Sequence, residues 1–245
     1  MYAEHKFNRM KVEIWSDIMC PFCYIGKRRF EAALEQFPGK DEITVEWKSF
    51  QLNPNLKSQP GKDVYDYVAE MKGQSRDWSV AMHDQLAQTA SEVGLTYNFD
   101  KAVIANSFDA HRIIQLAKKH GLGDQAEERF FHAYFTEGKD VSNPEVLQEL
   151  GESIGLEKEE VAEVLRSRDL ADAVNKDVYE AQQLGIRGVP FFVLDRKYGV
   201  SGAQPSEAFT QALNQAFGEW KSAQPALKTP DGLDGQVCTP DGNCN

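Results

Sequence analysis

The chain has 245 residues, with 27 Lys and Arg against 38 Asp and Glu, giving a net charge of −11 at neutral pH. That balance disfavours a nucleic-acid partner, which needs clustered Lys and Arg, and no apolar run of about 18 residues is present to span a membrane. At 41% hydrophobic and 27% charged residues the composition is that of a globular chain able to bury a sizeable core without a disulfide scaffold.

In chain order, Val12 and Ile14 alternate with polar neighbours over residues 11–16 and predict a strand. From Pro21 the pattern turns helical, with Tyr24, Arg28, Phe30, Leu34 and Phe37 three to four apart, and Pro38-Gly39 ends it. Residues 43–50 alternate again and form a second strand, so the opening is strand, helix, strand, with the two strands expected to run parallel. From about Pro60 to Lys176 almost nothing reads as strand. Helical stripes run through Trp78, Met82, Leu86, Ala90 and Val93, then through residues 99–120, 124–137, 146–154, 156–165 and 170–184. No regular repeat period relates them, which argues against a solenoid. Strand patterning returns after Gly188-Val189-Pro190, with residues 191–194 and 198–202 forming a hairpin across Asp195-Arg196-Lys197. A last helix covers 206–220, with Phe209, Leu213 and Phe217 on one stripe, before a Pro-, Gly- and Asp-rich tail. Neither the first 60 residues nor the last 70 would close a sheet alone. The expected organisation is therefore one α/β domain made of residues 1–60 and 176–220, an all-helical insertion at 61–175, and a tail at 221–245.

The four cysteines form two close pairs, Cys20/Cys23 and Cys238/Cys244, the wrong pattern for a cysteine-dense secreted framework. The first residues carry Glu4 and no apolar core, so they do not read as a secretory signal, and the expected compartment is the cytoplasm. There the cysteines are expected to be reduced, redox-active or metal-bound. Cys20-Pro21-Phe22-Cys23 sits where a strand runs into a helix, and two intervening residues let both sulfurs approach across the first turn. The first sulfur lies beside unpartnered N–H groups at the positive helix end, which favours a thiolate; the second is one turn in and tends to be covered. Cys20 is thus the expected nucleophile and Cys23 the resolving thiol, with Ile18 and Phe22 as an apolar rim. A four-cysteine zinc site fits less well: Cys238 and Cys244 have five residues between them, wider than the usual two to four, and zinc would consume the nucleophile. No metal is expected.

Together these segments resemble thioredoxin-fold proteins of the DsbA superfamily, most closely the cytoplasmic FrnE-like branch. The resemblance is carried by SDIMCPFCYIGKRRFE, NSFDAHRIIQLAKKHG and GIRGVPFFVLDRKYGVSGAQ, and covers about residues 10–220. It implies a thioredoxin-like fold with a large helical insertion and thiol–disulfide exchange with protein or peptide substrates. It also implies that Cys20 and Cys23 are the redox pair, that Pro190 is a cis-proline facing them, and that the backbone beside Pro190, at Val189, pairs with substrate. Pro21, Phe22, Asn106 and His111 are the further candidates for substrate contact, although the stretch from Asn106 to His111 reads equally well as a helix cap with local side-chain bonds.

No bound cofactor is implied, but glutathione stays open as reductant or ligand. The related glutathione-dependent branch, of the 2-hydroxychromene-2-carboxylate isomerase type, is the first alternative, weakened because its members typically carry serine where Cys20 stands; a non-enzymatic peptide-binding chaperone module is the second. FrnE-like proteins with a second cysteine pair in the tail make a relay between Cys238/Cys244 and the CPFC dithiol one expectation, beside a local disulfide or an incidental tail.

Overall fold

A computed structural model of the chain describes residues 9–224. Four strands form one sheet in the order β2-β1-β3-β4, where β1 is Met10–Ser16, β2 Ile43–Ser49, β3 Phe191–Leu194 and β4 Tyr198–Ser201. β1 and β2 pair in parallel, with Val12 opposite Val45 and Ile14 opposite Trp47. β3 runs antiparallel to β1 on its other edge, with Ile14 opposite Phe192, and β4 closes the hairpin. Strands distant in sequence thus meet on β1, so the first and last parts of the chain complete one sheet.

Both faces of the sheet are covered, which explains why β1 is buried at nearly every position instead of at alternate ones. On one face, α1 (Pro21–Glu35) and α9 (Ser206–Ser222) pack over Val12, Ile14, Trp47 and Phe192 through Phe30, Phe209 and Leu213. Each such buried side chain contributes roughly 1.5–3 kcal/mol relative to exposure. On the other face, Trp15 and Val193 lie against Ala181 of α8 (Ala171–Gln183), and Trp15 Nε1 donates to the Asp177 carbonyl at 2.9 Å. Asp177 also ties this helix to β2 and to the insertion, since its carboxylate accepts from Ser49 N–H at 3.0 Å and from Gln115 Nε2 at 2.6 Å.

Between β2 and α8 lie α2 (Val64–Lys72), α3 (Arg76–Ser91), α4 (Phe108–Lys119), α5 (Gly123–Phe135), α6 (Pro144–Ser153) and α7 (Lys158–Arg166). Their apolar faces, including Ile113, Phe130, Phe131, Leu147 and Val161, build a core that is continuous with Cys20, Cys23 and Tyr24 at the start of α1. The dithiol is therefore buried between the sheet domain and the inserted helices. This is a thioredoxin-like α/β core carrying a large helical insertion.

Two elements depart from the sequence pattern. The helix expected over 99–120 begins only at Phe108: Phe99–Lys101 is a single 3-10 turn, and Ile104 forms an extended bridge with Gln59. Asn106 Oδ1 accepts from Phe108 N–H at 2.9 Å, a local bond that competes with helix upstream. The short α2 had no predicted counterpart, yet its ends are marked: Asp63 accepts from Asp66 N–H at 3.0 Å, and Gly73 closes it at a φ of 63°.

Candidate active site

Cys20 is the N-cap of α1, with extended backbone (φ −94°, ψ 112°), and Pro21 starts the helix where a missing N–H leaves no bond unmade. The turn before it is closed by Cys20 N–H donating to the Asp17 carbonyl at 2.9 Å, and Cys23 N–H donates to the Cys20 carbonyl at 3.0 Å. Both thiols are free. Cys20 retains 4% exposure and Cys23 none, so Cys20 is the more accessible of the two thiols. Burial pushes the Cys23 thiol well above the usual range, and the neighbouring Cys20 adds to this; the Asp17 amide and the Ser16 hydroxyl act the other way.

Across from α1, the Val189–Pro190 peptide is cis, and Cys20 Sγ lies 3.5 Å from the Val189 carbonyl oxygen. The loop is fixed from behind by Gly202 N–H donating to the Pro190 carbonyl at 2.9 Å. It is pressed close to the helix at Gly26, where a Cβ would stand 3.0 Å from Pro190 Cγ and 3.4 Å from Phe192 Cζ. Cys20, Cys23, Val189 and Pro190 are therefore together at one end of the sheet.

The remaining candidates divide. Phe22 is 47% exposed beside the cysteines, while Pro21 is half-buried and its carbonyl accepts from Tyr97 Oη at 2.7 Å. Ile18, expected on the apolar rim, is fully buried in the core because the turn that positions Cys20 aims it inward. Leu52 supplies the exposed apolar surface instead: its N–H donates to Asp17 Oδ2 at 2.7 Å and its side chain stands out to solvent. Asn106 does not offer a free amide. Its Oδ1 accepts from Phe108 N–H and from Gln51 Nε2, and its Nδ2 donates to the carbonyls of Leu56 at 2.8 Å and Pro54 at 3.2 Å. It clamps the loop after β2 that carries Leu52. His111 is wholly enclosed and so cannot reach a bound substrate in this structure; its Nε2 is 3.4 Å from Asp17 Oδ1. Glu13, near the dithiol in sequence, is held on the sheet face by Arg196. Cys238 and Cys244 lie outside the described residues.

Asp17, Leu52 and Tyr97 are the site residues that sequence reasoning underweights. Asp17 stands just ahead of the CPFC motif, a signal open to a reader of the sequence. Nothing in the spacing of Leu52 or Tyr97 marks either as a neighbour of Cys20.

A thioredoxin core whose first helix opens on a free CxxC dithiol, facing a cis-proline loop, defines the class. The chain belongs to the DSBA-like thioredoxin domain family, whose model matches residues 11–214, and thus to the thioredoxin-fold oxidoreductases. A probable DsbA oxidoreductase of Streptomyces coelicolor of known structure is 43% identical, with 97% of this chain and 99% of that one covered at a TM-score of 0.82. The uncharacterized protein YwbO of Bacillus subtilis (strain 168) is 27% identical over 205 residues, which is 83% of this chain and 95% of the relative. The cytosolic disulfide reductase DsbM of Pseudomonas aeruginosa shares the fold at 20% identity and a TM-score of 0.61, over 85% of this chain and 99% of that one.

Proposed function

We propose that the protein is a thiol–disulfide oxidoreductase that exchanges disulfides with protein or peptide substrates through Cys20 and Cys23. The observation that carries the reading is the pairing of a barely exposed Cys20 at a helix start with a fully buried Cys23, beside the Val189 carbonyl at 3.5 Å. In the reducing direction, the Cys20 thiolate attacks one sulfur of a substrate disulfide and expels the other as a thiolate, leaving a mixed disulfide. Cys23 then gives up its proton and attacks the Cys20 sulfur, releasing the second substrate thiol and leaving a Cys20–Cys23 disulfide. Two electrons pass from the dithiol to the substrate, and a thiol donor such as glutathione resets the enzyme. Run in reverse, the same steps oxidise a substrate dithiol.

The backbone at Val189, beside the cis-proline, offers its polar groups to a substrate segment, and Phe22 and Leu52 are the exposed apolar side chains of the segments that flank the Cys20 turn. The exposed Phe22 beside Cys20 supports protein or peptide thiols as substrates. A cytosolic setting accords with DsbM, a cytosolic disulfide reductase of the same fold. We include in the proposal a relay role for Cys238 and Cys244.

Reduction of insulin disulfides with glutathione as donor tests the reading. Wild type should turn over and Cys20→Ser should lose all activity above background. A Cys20→Ser variant retaining the wild-type rate contradicts it, and one that loses insulin reduction yet keeps glutathione-dependent isomerisation of a small aromatic substrate favours the isomerase alternative.

A further inference from the structure

A buried Asp17–His111 pair lies at the turn that leads into the dithiol and joins three parts of the chain. His111 comes from α4, among the inserted helices, and its Nε2 stands 3.4 Å from Asp17 Oδ1. Asp17 is 1% exposed in the turn between β1 and α1. Its carboxylate also accepts from Met19 N–H at 3.2 Å, within the turn that carries Cys20, and from Leu52 N–H at 2.7 Å, in the loop after β2. Its amide and the Ser16 hydroxyl face Cys23. One carboxylate therefore organises the segments on both sides of the reacting sulfurs, and the His111 imidazole is set against it.

Burial works against charge on both partners, yet each is shifted toward its charged form by the other. Burial lowers His111, but the Asp17 carboxylate, followed by Glu127 and the Phe50 carbonyl, outweighs it and raises the imidazole above its ordinary value. Burial raises Asp17, but His111, then the Leu52 N–H and Ser107, outweigh it and hold the carboxyl below the usual range. The other titratable groups facing this region are Glu127 and Tyr134 of α5, Tyr97 ahead of α4, and the two thiols. Burial first, and then nearby anions, raise both phenols, which keeps them neutral. Lys27 and Lys118 act on Glu127. Neither ring nitrogen of His111 makes a well-formed hydrogen bond among the described residues, so charge, more than hydrogen-bond geometry, is what it brings.

We infer that His111 is a positioning residue for the dithiol, acting through Asp17: its cation balances the carboxylate that holds the Cys20 turn, so that a thiolate forms beside a neutral pair and not beside a bare anion. In a water-poor site a second anion close to an uncompensated carboxylate is strongly disfavoured, so removing the imidazolium should oppose thiolate formation from a distance. The inserted helices thus contribute to the chemistry itself as well as to the walls of the site. The inference rests on the proposed thiol–disulfide exchange.

Pulse alkylation of the full chain with iodoacetamide across a pH series, read by mass spectrometry on the peptide carrying Cys20 and Cys23, tests it. H111Q should move the half-maximal pH of alkylation up by about one unit, D17N should move it down, and the double variant D17N/H111Q, carrying neither charge, should return to the wild-type profile. A structural role alone would shift the two single variants in the same direction. The inference is overturned if H111Q matches wild type, if D17N is unmoved or shifts upward, or if the double variant stays where H111Q lies. Should H111Q not fold, the D17N profile decides: downward supports the inference, and unmoved or upward overturns it. Failure of wild-type insulin reduction would remove the proposed function and leave this comparison standing, whereas coincident alkylation profiles with intact turnover would remove the inference alone.

Discussion

Gly26 shows how a residue with no reactive group can govern the site. It lies in the interior of α1, where glycine is less favourable than alanine by about 1 kcal/mol, so an alanine there would be favoured by helix propensity. A Cβ, however, would stand 3.0 Å from Pro190 Cγ and 3.5 Å from Ala203 Cβ, closer to the proline than most packed carbons come. Gly26→Ala should therefore push the Val189-Pro190 loop away from α1 by a few tenths of an ångström, with the net change in stability below about 1 kcal/mol. Insulin reduction should slow several-fold at near-unchanged thermal stability; an unaltered rate would show that the loop's distance from Cys20 does not matter. The CPFC pair is legible in the sequence as a short local pattern, whereas Pro190 reads there as an ordinary strand-start proline and is marked only by the family resemblance. The opposition of Asp17 to His111 is not legible, since it depends on how the inserted helices pack beneath the turn.

At the scale of elements, α5 carries a buried acid whose titration is a property of its packing. Glu127 is 1% exposed, and burial, with Asp124 nearby, pushes its carboxyl up from 4.5 to about 7 against the opposing pull of His111, Lys27 and Lys118. A carboxyl raised on folding favours the native state most fully below its unfolded value, and that contribution is lost as pH rises through about 7. Thermal denaturation should accordingly show a stability loss between about pH 4.5 and 7 that Glu127→Gln flattens; an identical fall in the variant would show that the helix does not penalise the ionised acid. Elements were legible where periodicity was unmixed, as in β1, α1 and α9. They were misread where apolar residues at helical spacing serve extended chain: Ile104 pairs with Gln59, and Asn106 delays the helix to Phe108. The role of Asn106 follows from this. Its amide is taken up by the loop after β2, so it shapes the site from behind and offers substrate no hydrogen bond in this arrangement.

Over the whole molecule, the sheet and the insertion have separate tasks that meet at the dithiol. The sheet is completed only when β3 joins β1, which brings the Val189 carbonyl from near the end of the described chain to Cys20 near its start. The insertion encloses Cys23 and supplies His111. The order of the strands and of the longer helices was legible because period-two and helical patterns alternate along the chain, while the short α2 and the extended segment at Ile104 were not. The depth of the dithiol was not, because burial arises only when the two parts close on one another. The central claim is that Cys20 attacks and Cys23 resolves, and Cys23→Ala in the full chain tests it most directly. Under mild oxidation this variant should accumulate a mixed disulfide through Cys20, resolved by mass spectrometry as a protein client, glutathione, or Cys238 or Cys244 of its own tail. A Cys20 that carries no adduct under those conditions would contradict the exchange mechanism.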